Sequence, residues 1–416
     1  MQYIVKAPTT IGATINLPAS KSICNRALAI HAISGGRIMP DNLSDCDDTT
    51  AMLMAVSQWG DTIDIGAAGT AMRFLTALLC LREGEEHVIT GTQRMCHRPI
   101  GPLVAALRQL GADIEYVGEE GFPPLRIRGG RLSGGRLEVP GNISSQYISA
   151  LLLIGPAMSN GLELHLTGKI ISRPYIDLTL HVMHEFKCAI DWTDVDTITV
   201  KPQTYSDMPY KIENDWTAAS YWYEMLALCP HMEQQVTLPG LYDGSRQGDS
   251  AVRYLFRLLG VKTEFLRDDA DTMVLTHHTQ PVHRMEYDLV NQPDLAQTLV
   301  VTCCALGIHF HFTGLATLKI KETDRIEALK TELRKLGYVL EDRNDGELLW
   351  DGTTCEADPQ PVIDTYEDHR MAMAFAPVAL VRGELRINNP EVVSKSYPRY
   401  WDDLRHAGFI ITETTQ

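Results

Sequence analysis

Three times the chain closes a helix-like stretch on Leu-x-x-Leu-Gly or a near variant and then runs into two short alternating strands. The copies end at Leu107-Arg108-Gln109-Leu110-Gly111, Leu255-Phe256-Arg257-Leu258-Leu259-Gly260 and Leu333-Arg334-Lys335-Leu336-Gly337. The strand pairs are expected over 113–117 with 125–128, 262–266 with 272–276, and 338–341 with 347–350, and a looser copy covers 182–186, 189–192 and 197–200. Gly after the last apolar turn supplies a left-handed C-cap, and alternation marks half-buried hairpins. A unit of this kind cannot bury its apolar faces alone, so its repetition predicts α/β units sharing cores. Residues 42–69 read as a truncated copy: after the helix-like 48–59, only the strand-like 62–65 remains before Gly66-Ala67-Ala68-Gly69.

A chain of 416 residues exceeds one ordinary core, and two or three domains are expected. Lys+Arg 37 against Asp+Glu 53 gives a formal charge of −16, which argues against long-range attraction to nucleic acid or an anionic membrane; any anion site has to be made locally. The longest apolar runs, 147–158 and 372–381, are too short to span a bilayer and carry Gly155-Pro156 and Pro377. The first residues enter a strand-like pattern without the apolar core of a secretory signal, so a cytoplasmic location is expected. Nine cysteines without C-x-x-C or zinc-like His/Cys spacing read as small buried hydrophobes, and neither disulfide nor metal is expected.

Chemistry is concentrated at predicted helix starts. Lys321-Glu322-Thr323-Asp324-Arg325 leads into Ile326, Leu329, Leu333 and Leu336 at helical spacing, with Asp324 and Glu327 as a capping box and Gly337 as the stop. Ser20-Lys21-Ser22 precedes a helix carrying Arg26 one turn after Ser22. Gly69-Thr70, with Thr70 as cap, Arg98-Pro99, Ser144-Ser145-Gln146 and Ser172-Arg173-Pro174-Tyr175 open others. Asp294 begins a helix through Leu299, Asp368-His369-Arg370 one through Val381, and Lys395 precedes a segment at 397–404. Ser, Thr and Asp are ordinary caps. Cations are not: the N-terminal end of a helix disfavours Lys or Arg unless an anion is also present, and Lys21, Arg98, Arg325 and Arg370 all sit there. The shared feature is a set of anion cradles.

The segments 17–22 with Asn25-Arg26, 68–73, Arg94-Met95 with Arg98-Pro99-Ile100, 144–146, 321–325, 368–371 and Lys395 occur in the order found in one family. Over nearly its whole length the chain resembles the 5-enolpyruvylshikimate-3-phosphate synthase family of enolpyruvyl transferases. The resemblance implies an α/β fold of two domains, each built of βαβαββ repeats with helix N-termini facing the interdomain cleft. It also implies a chain that crosses twice, giving an N-terminal domain over 14–212 and a C-terminal domain over 1–13 and 213–416.

The implied reaction moves the enolpyruvyl group of phosphoenolpyruvate to the 5-hydroxyl of shikimate 3-phosphate and releases phosphate. By resemblance, Ser22 and Arg26 take the shikimate carboxylate, Ser144, Ser145 and Ser172 its phosphate, and Gln146 and Tyr175 the ring side. Lys21, Gly69, Arg98, Gln146 and Lys395 surround phosphoenolpyruvate, whose carboxylate Arg325 and Arg370 clamp, a task suited to planar guanidinium forks. Lys21 also counts among the shikimate 3-phosphate contacts and the catalytic set. Asp294 is expected to take the hydroxyl proton and Glu322 to serve C3, with Lys321 positioning the hydroxyl. No cofactor or metal is expected; the expected partners are the two small anions, with glyphosate as inhibitor and a monomeric protein. Ala67, Phe74 and Thr317 depart from residues common in the family, and none is a charged catalytic group. The sister transferase acting on UDP-N-acetylglucosamine lacks the Lys-Glu-Thr-Asp-Arg run, and a non-catalytic shikimate-phosphate binding protein would have lost Asp294 or Glu322.

Overall fold

The computed structural model describes residues 1–229, 234–266, 271–278 and 281–414. The strands of these residues form five four-stranded sheets on one plan: two parallel strands linked through a helix, then two further antiparallel strands. In one, Arg284–Asp288 pairs in parallel with His309–Thr313 across the helix Ala296–Leu306; the helix Arg325–Lys335 follows, and the hairpin Glu341–Arg343 and Glu347–Trp350 closes the sheet. The glycines of the Leu-x-x-Leu-Gly copies all have positive φ (Gly111 101°, Gly260 93°, Gly337 100°), where a Cβ would be strained.

Two compact units result, Met1–Pro18 with Asn214–Gln416, and Ala19–Glu213. The first contains three sheets, two of them assembled from distant chain. Gly12–Thr14 pairs in parallel with Gln235–Pro239, although residues 19–213 intervene. Gln2–Lys6 lies between Glu384–Asn388 and Ile410–Thr414, antiparallel to both. The crossover therefore falls at Pro18/Ala19, later than the expected Thr14, because the Ile15 N–H still donates to the Thr237 carbonyl (2.9 Å).

The second unit contains two sheets, ordered from Thr62–Asp64, Glu86–Thr90, Leu125–Arg128 and Asp113–Tyr116, and from Gly135–Pro140, Leu162–Thr167, Thr197–Val200 and Ile190–Asp194. Its remaining repeat is abbreviated. The helices Lys21–Ser34 and Asp47–Ser57 pack together, but the strand pairing between their flanking segments is one isolated bridge, Asp41 to Lys211, and no hairpin follows Ser57. The strand at Thr62–Asp64 pairs with Glu86–Thr90 and opens the next repeat, so it does not belong to the truncated copy as expected.

Each unit has its own apolar core. In the second unit, Lys21–Ser34, Gly69–Leu79, Ser145–Ile154 and Arg173–Glu185 pack on one another, and in the first, Trp216–Leu228, Ala296–Leu306 and His369–Phe375 do. Every residue of Gly69–Leu79 is buried. Among the described residues no helix is long and apolar enough to cross a membrane.

Candidate active site

In the unit Met1–Pro18/Asn214–Gln416, three helix starts bring charges into one network. Asp324 caps Arg325–Lys335, its Oδ1 accepting from the N–H of Ile326 (3.1 Å) and Glu327 (3.2 Å). That cap fixes where Lys321, Glu322 and Arg325 emerge. Arg325 is 1 % exposed and donates from Nε to Asp368 (2.7 Å), from Nη2 to Glu322 (2.9 Å) and from Nη1 to Asp294 (3.3 Å). Arg370 Nη2 lies 2.8 Å from the other Asp294 oxygen, Lys395 Nζ donates to Glu322 Oε1 (2.8 Å), and Lys321 Nζ stands 4.0 Å from Asp294. Asp368 serves twice, accepting also from the Arg370 N–H (3.0 Å) as helix cap.

Among the described residues, Arg325, Arg370, Lys395 and Lys321 thus interlock with Asp294, Glu322 and Asp368. Burial alone would lower the Arg325 pKa, but Asp368 and Glu322 outweigh it and hold the guanidinium firmly charged. Lys321 moves the other way: desolvation lowers its pKa against the pull of Asp294. Losing one member of a buried network like this strands its partners, at a cost of about 3–5 kcal/mol. The arrangement holds carboxylates that can carry protons on cations that an incoming anion can claim.

In the unit Ala19–Glu213, the Lys21 ammonium donates to Asp48 (3.0 Å), a carboxylate 2 % exposed in the first turn of Asp47–Ser57. Arg26 joins the surrounding helices: Nε donates to the Thr179 hydroxyl (2.8 Å), Nη1 to the Ser22 carbonyl (2.7 Å), and Nη2 to the Ser149 hydroxyl (3.1 Å) and the Tyr175 carbonyl (3.0 Å). Its guanidinium lies 5.5 Å from the centroid of the Phe74 ring. Burial pulls its pKa down to about 10, so it stays charged at neutral pH among neutral partners. Among the described residues these bonds use four of its five N–H groups.

Gln146 Nε2 donates to the Thr70 hydroxyl (3.0 Å), and the Ser144 hydroxyl caps the same helix by accepting from the Gln146 N–H (3.3 Å). Gly69 is the first residue of its helix, and a Cβ there would stand 2.8 Å from Arg98 Nη1. Ser172 precedes its helix in the left-handed region, φ 52°, and is buried, while Tyr175 is half-buried in the first turn.

Several expected helix starts are corrected. Thr70 lies inside its helix and does not cap it, Ala68 being the N-cap. Arg98 precedes the helix Gly101–Gln109 in the turn after Gln93–Cys96. The segment from His369 is broken into His369–Phe375, a 3-10 turn over Ala376–Val378 and Ala379–Arg382, because Pro377 cannot donate. Asp294 sits in a 3-10 turn, and the helix after it runs from Ala296 to Leu306.

Sequence reasoning passed over Asp48, Arg73 and Tyr221, and gave Asp368 only its capping role. Arg73 is buried, donates to the Gly69 carbonyl (3.0 Å) and faces the Tyr147 ring. Tyr221 accepts from Arg370 Nη1 at 3.5 Å. For Asp48 and Arg73 the available signal was charge at positions whose helical spacing predicts burial; Tyr221 carries no charge and reads as one more aromatic of a buried helix.

A profile of EPSP synthase (3-phosphoshikimate 1-carboxyvinyltransferase) matches residues 57–404. The chain is 57 % identical to a 3-phosphoshikimate 1-carboxyvinyltransferase of Bacteroides fragilis over 409 residues, 98 % of each chain. It is 36 % identical to one from Photobacterium profundum over 433 aligned residues, 97 % of this chain and 98 % of that one. An EPSP synthase structure from Acinetobacter baumannii superposes with a TM-score of 0.77 at 21 % identity, covering 99 % of this chain and 100 % of the other, which shows the shared fold. With the ordered cation and carboxylate positions described above, these matches place the chain in the EPSP synthase (3-phosphoshikimate 1-carboxyvinyltransferase) family.

Proposed function

We infer that the protein transfers the carboxyvinyl group of phosphoenolpyruvate to the 5-hydroxyl of shikimate 3-phosphate, giving 5-enolpyruvylshikimate 3-phosphate and phosphate, a step of the shikimate route to chorismate and the aromatic amino acids. The observation that carries the mechanism is the pairing of Asp294 with Arg370 (2.8 Å) and of Glu322 with both Arg325 (2.9 Å) and Lys395 (2.8 Å). Asp294 accepts the hydroxyl proton as the oxygen attacks C2, and Glu322 delivers a proton to C3, giving a tetrahedral intermediate. Glu322 then takes a proton back from C3 as the C2–O bond to phosphate breaks, and the proton taken from the hydroxyl by Asp294 leaves on the departing hydrogen phosphate.

Substrate anions prepare these groups. Arg325, Arg370 and Lys395 can hold the carboxylate and phosphate of phosphoenolpyruvate only by loosening their bonds to Glu322 and Asp294. Losing nearby cations raises the proton affinity of Glu322, which lets it act as an acid. Lys321 supports the developing charge on the hydroxyl. Lys21 and Arg98, with Gly69 close by, complete the phosphate site, and Gln146 spans both substrates. Ser22 and Arg26 bind the shikimate carboxylate, Ser144, Ser145 and Ser172 its phosphate, and Tyr175 the ring side.

Glyphosate competes with phosphoenolpyruvate for the same cations, and the protein acts as a monomer, which light scattering tests directly. The function is tested by phosphate release, which should require both substrates and should fall by roughly 10²-fold or more in Asp294→Asn and in Glu322→Gln, each correctly folded. Release with UDP-N-acetylglucosamine replacing shikimate 3-phosphate would overturn the assignment.

A further inference from the structure

Asp249, in the short 3-10 turn Gly248–Ala251, is a buried carboxylate outside the set above and 3 % exposed. Its Oδ2 accepts a hydrogen bond from the Thr217 hydroxyl at 2.5 Å. Thr217 stands four residues before Tyr221 on the helix Trp216–Leu228, so the two share a face, and Tyr221 is the residue whose hydroxyl accepts from Arg370. The turn is tied to that helix start: Gln247 Oε1 accepts from the Trp216 N–H (3.2 Å) and Gln247 Nε2 donates to the Asn214 carbonyl (2.8 Å). Three charged groups act on Asp249, while Arg253 of the following helix Val252–Leu258 pairs with Asp243 instead. Asp294 acts from ahead of Ala296–Leu306, Arg370 from His369–Phe375 and Asp215 from the cap of Trp216–Leu228.

Burial first, and the Asp294 carboxylate second, push the Asp249 carboxyl up to about 7; Thr217 and Arg370 offset part of this. The group therefore changes charge in the neutral range, within the field of Arg370 and tied through Thr217 to the helix whose Tyr221 accepts from Arg370.

We propose that Asp249 is a positioning residue for the phosphoenolpyruvate clamp: protonated, it leaves Arg370 to Asp294 and to the incoming carboxylate, and ionised, it competes for Arg370 and adds negative charge where an anion must bind. The proposal rests on the reading of Arg370 as part of that clamp. It gives phosphoenolpyruvate affinity a pH dependence of its own, tighter below the Asp249 titration and weaker above it.

The test measures KM for phosphoenolpyruvate and kcat at saturating shikimate 3-phosphate from about pH 6 to about pH 8.5 for wild type, Asp249→Asn and Arg370→Gln. Asn imitates the protonated acid. The ratio of wild-type to Asp249→Asn KM should be near one at the acid end and rise roughly three- to tenfold through neutrality, with a much smaller change in the kcat ratio. Substrate phosphates also titrate near pH 6, but identically for both proteins, and cancel in the ratio. A flat ratio overturns the proposal. If KM is unchanged in Arg370→Gln, the clamp reading itself has failed; if it rises there while the Asp249 ratio stays flat, only the role of Asp249 falls. Should Asp249→Asn fail to fold, Thr217→Val removes the hydroxyl that favours the ionised carboxylate, and the inflection should move to higher pH. An unmoved inflection counts against the proposal equally.

Discussion

At Gly69 the missing Cβ is what lets Arg98 lie against the backbone. A Cβ there would meet Arg98 Nη1 at 2.8 Å and Arg73 Nη1 at 3.3 Å, both ends of side chains that can retreat. Gly69→Ala should therefore fold, push Arg98 away and take room from a ligand longer than phosphoenolpyruvate. Overpacking of this kind costs about 1–3 kcal/mol, so glyphosate inhibition should weaken by roughly ten- to a hundredfold while KM for phosphoenolpyruvate rises less. Titrating glyphosate against both proteins at fixed phosphoenolpyruvate is the check, and equal responses would remove Gly69 as the discriminating contact. Glu224 supplies a second residue-scale expectation. It is fully buried, neither oxygen has a hydrogen-bond partner among the described residues, and the neighbouring Thr302 hydroxyl donates to the Thr298 carbonyl (2.6 Å). Burial raises its pKa well above 4.5, so the folded state holds a proton that the unfolded chain releases. Its contribution to stability is thus full below about pH 4.5 and lost progressively as pH rises. Denaturant unfolding of Glu224→Gln against wild type should show an advantage to the variant that grows from about pH 5 to about pH 8, and a pH-independent difference would contradict it.

Helices meet at Arg26. Its side chain starts on Lys21–Ser34, bonds Ser149 on Ser145–Ile154 and Thr179 and Tyr175 on Arg173–Glu185, and faces Phe74 of Gly69–Leu79. Arg26→Ala should accordingly do two things: weaken shikimate 3-phosphate binding far more than phosphoenolpyruvate, and lower stability by about 3 kcal/mol or more, since two hydroxyls and two carbonyls lose a charged donor in a dry interior. Separate KM measurements and a denaturation midpoint decide it; equal losses for the two substrates would sink the ligand assignment while leaving the packing role. Phe74 shows why such a junction is hard to read in one dimension. In the sequence it stands out only as a departure from the family pattern, yet in the fold its ring faces the Arg26 guanidinium. Helix starts with short polar caps, such as Asp324 and Ser144, were legible because the partners lie two or three residues away. Thr70 was not, because its hydroxyl is used by Gln146, 76 residues on.

Across the whole molecule, the unit that contains both termini depends on its first residues. Gln2–Lys6 is an inner strand of its sheet, hydrogen-bonded on both sides, with Val5 fully buried. Removing residues 1–6 should unravel that sheet and most of its unit. The chain from Ala19 to Glu213 should survive as a folded fragment, since its own ends are joined by the Ser20 N–H donating to the Glu213 carbonyl (2.8 Å). Limited proteolysis of the truncated chain, followed by mass measurement, checks both halves, and loss of the Ala19–Glu213 fragment would show that the units do not fold separately. Local sequence determined the α/β class, the repeat with its positive-φ glycines, the capped helix starts and the presence of anion-seeking charges there, because each rests on interactions spanning a few residues. Tertiary structure alone decided that Thr62–Asp64 opens a new sheet, that Gly12–Thr14 pairs with Gln235–Pro239, and that Asp368 and Asp48 hold Arg325 and Lys21. Strand pairing and charge pairing are settled by which segments meet in space, and a buried cation takes whichever carboxylate the fold brings within about 3 Å, whatever its distance along the chain.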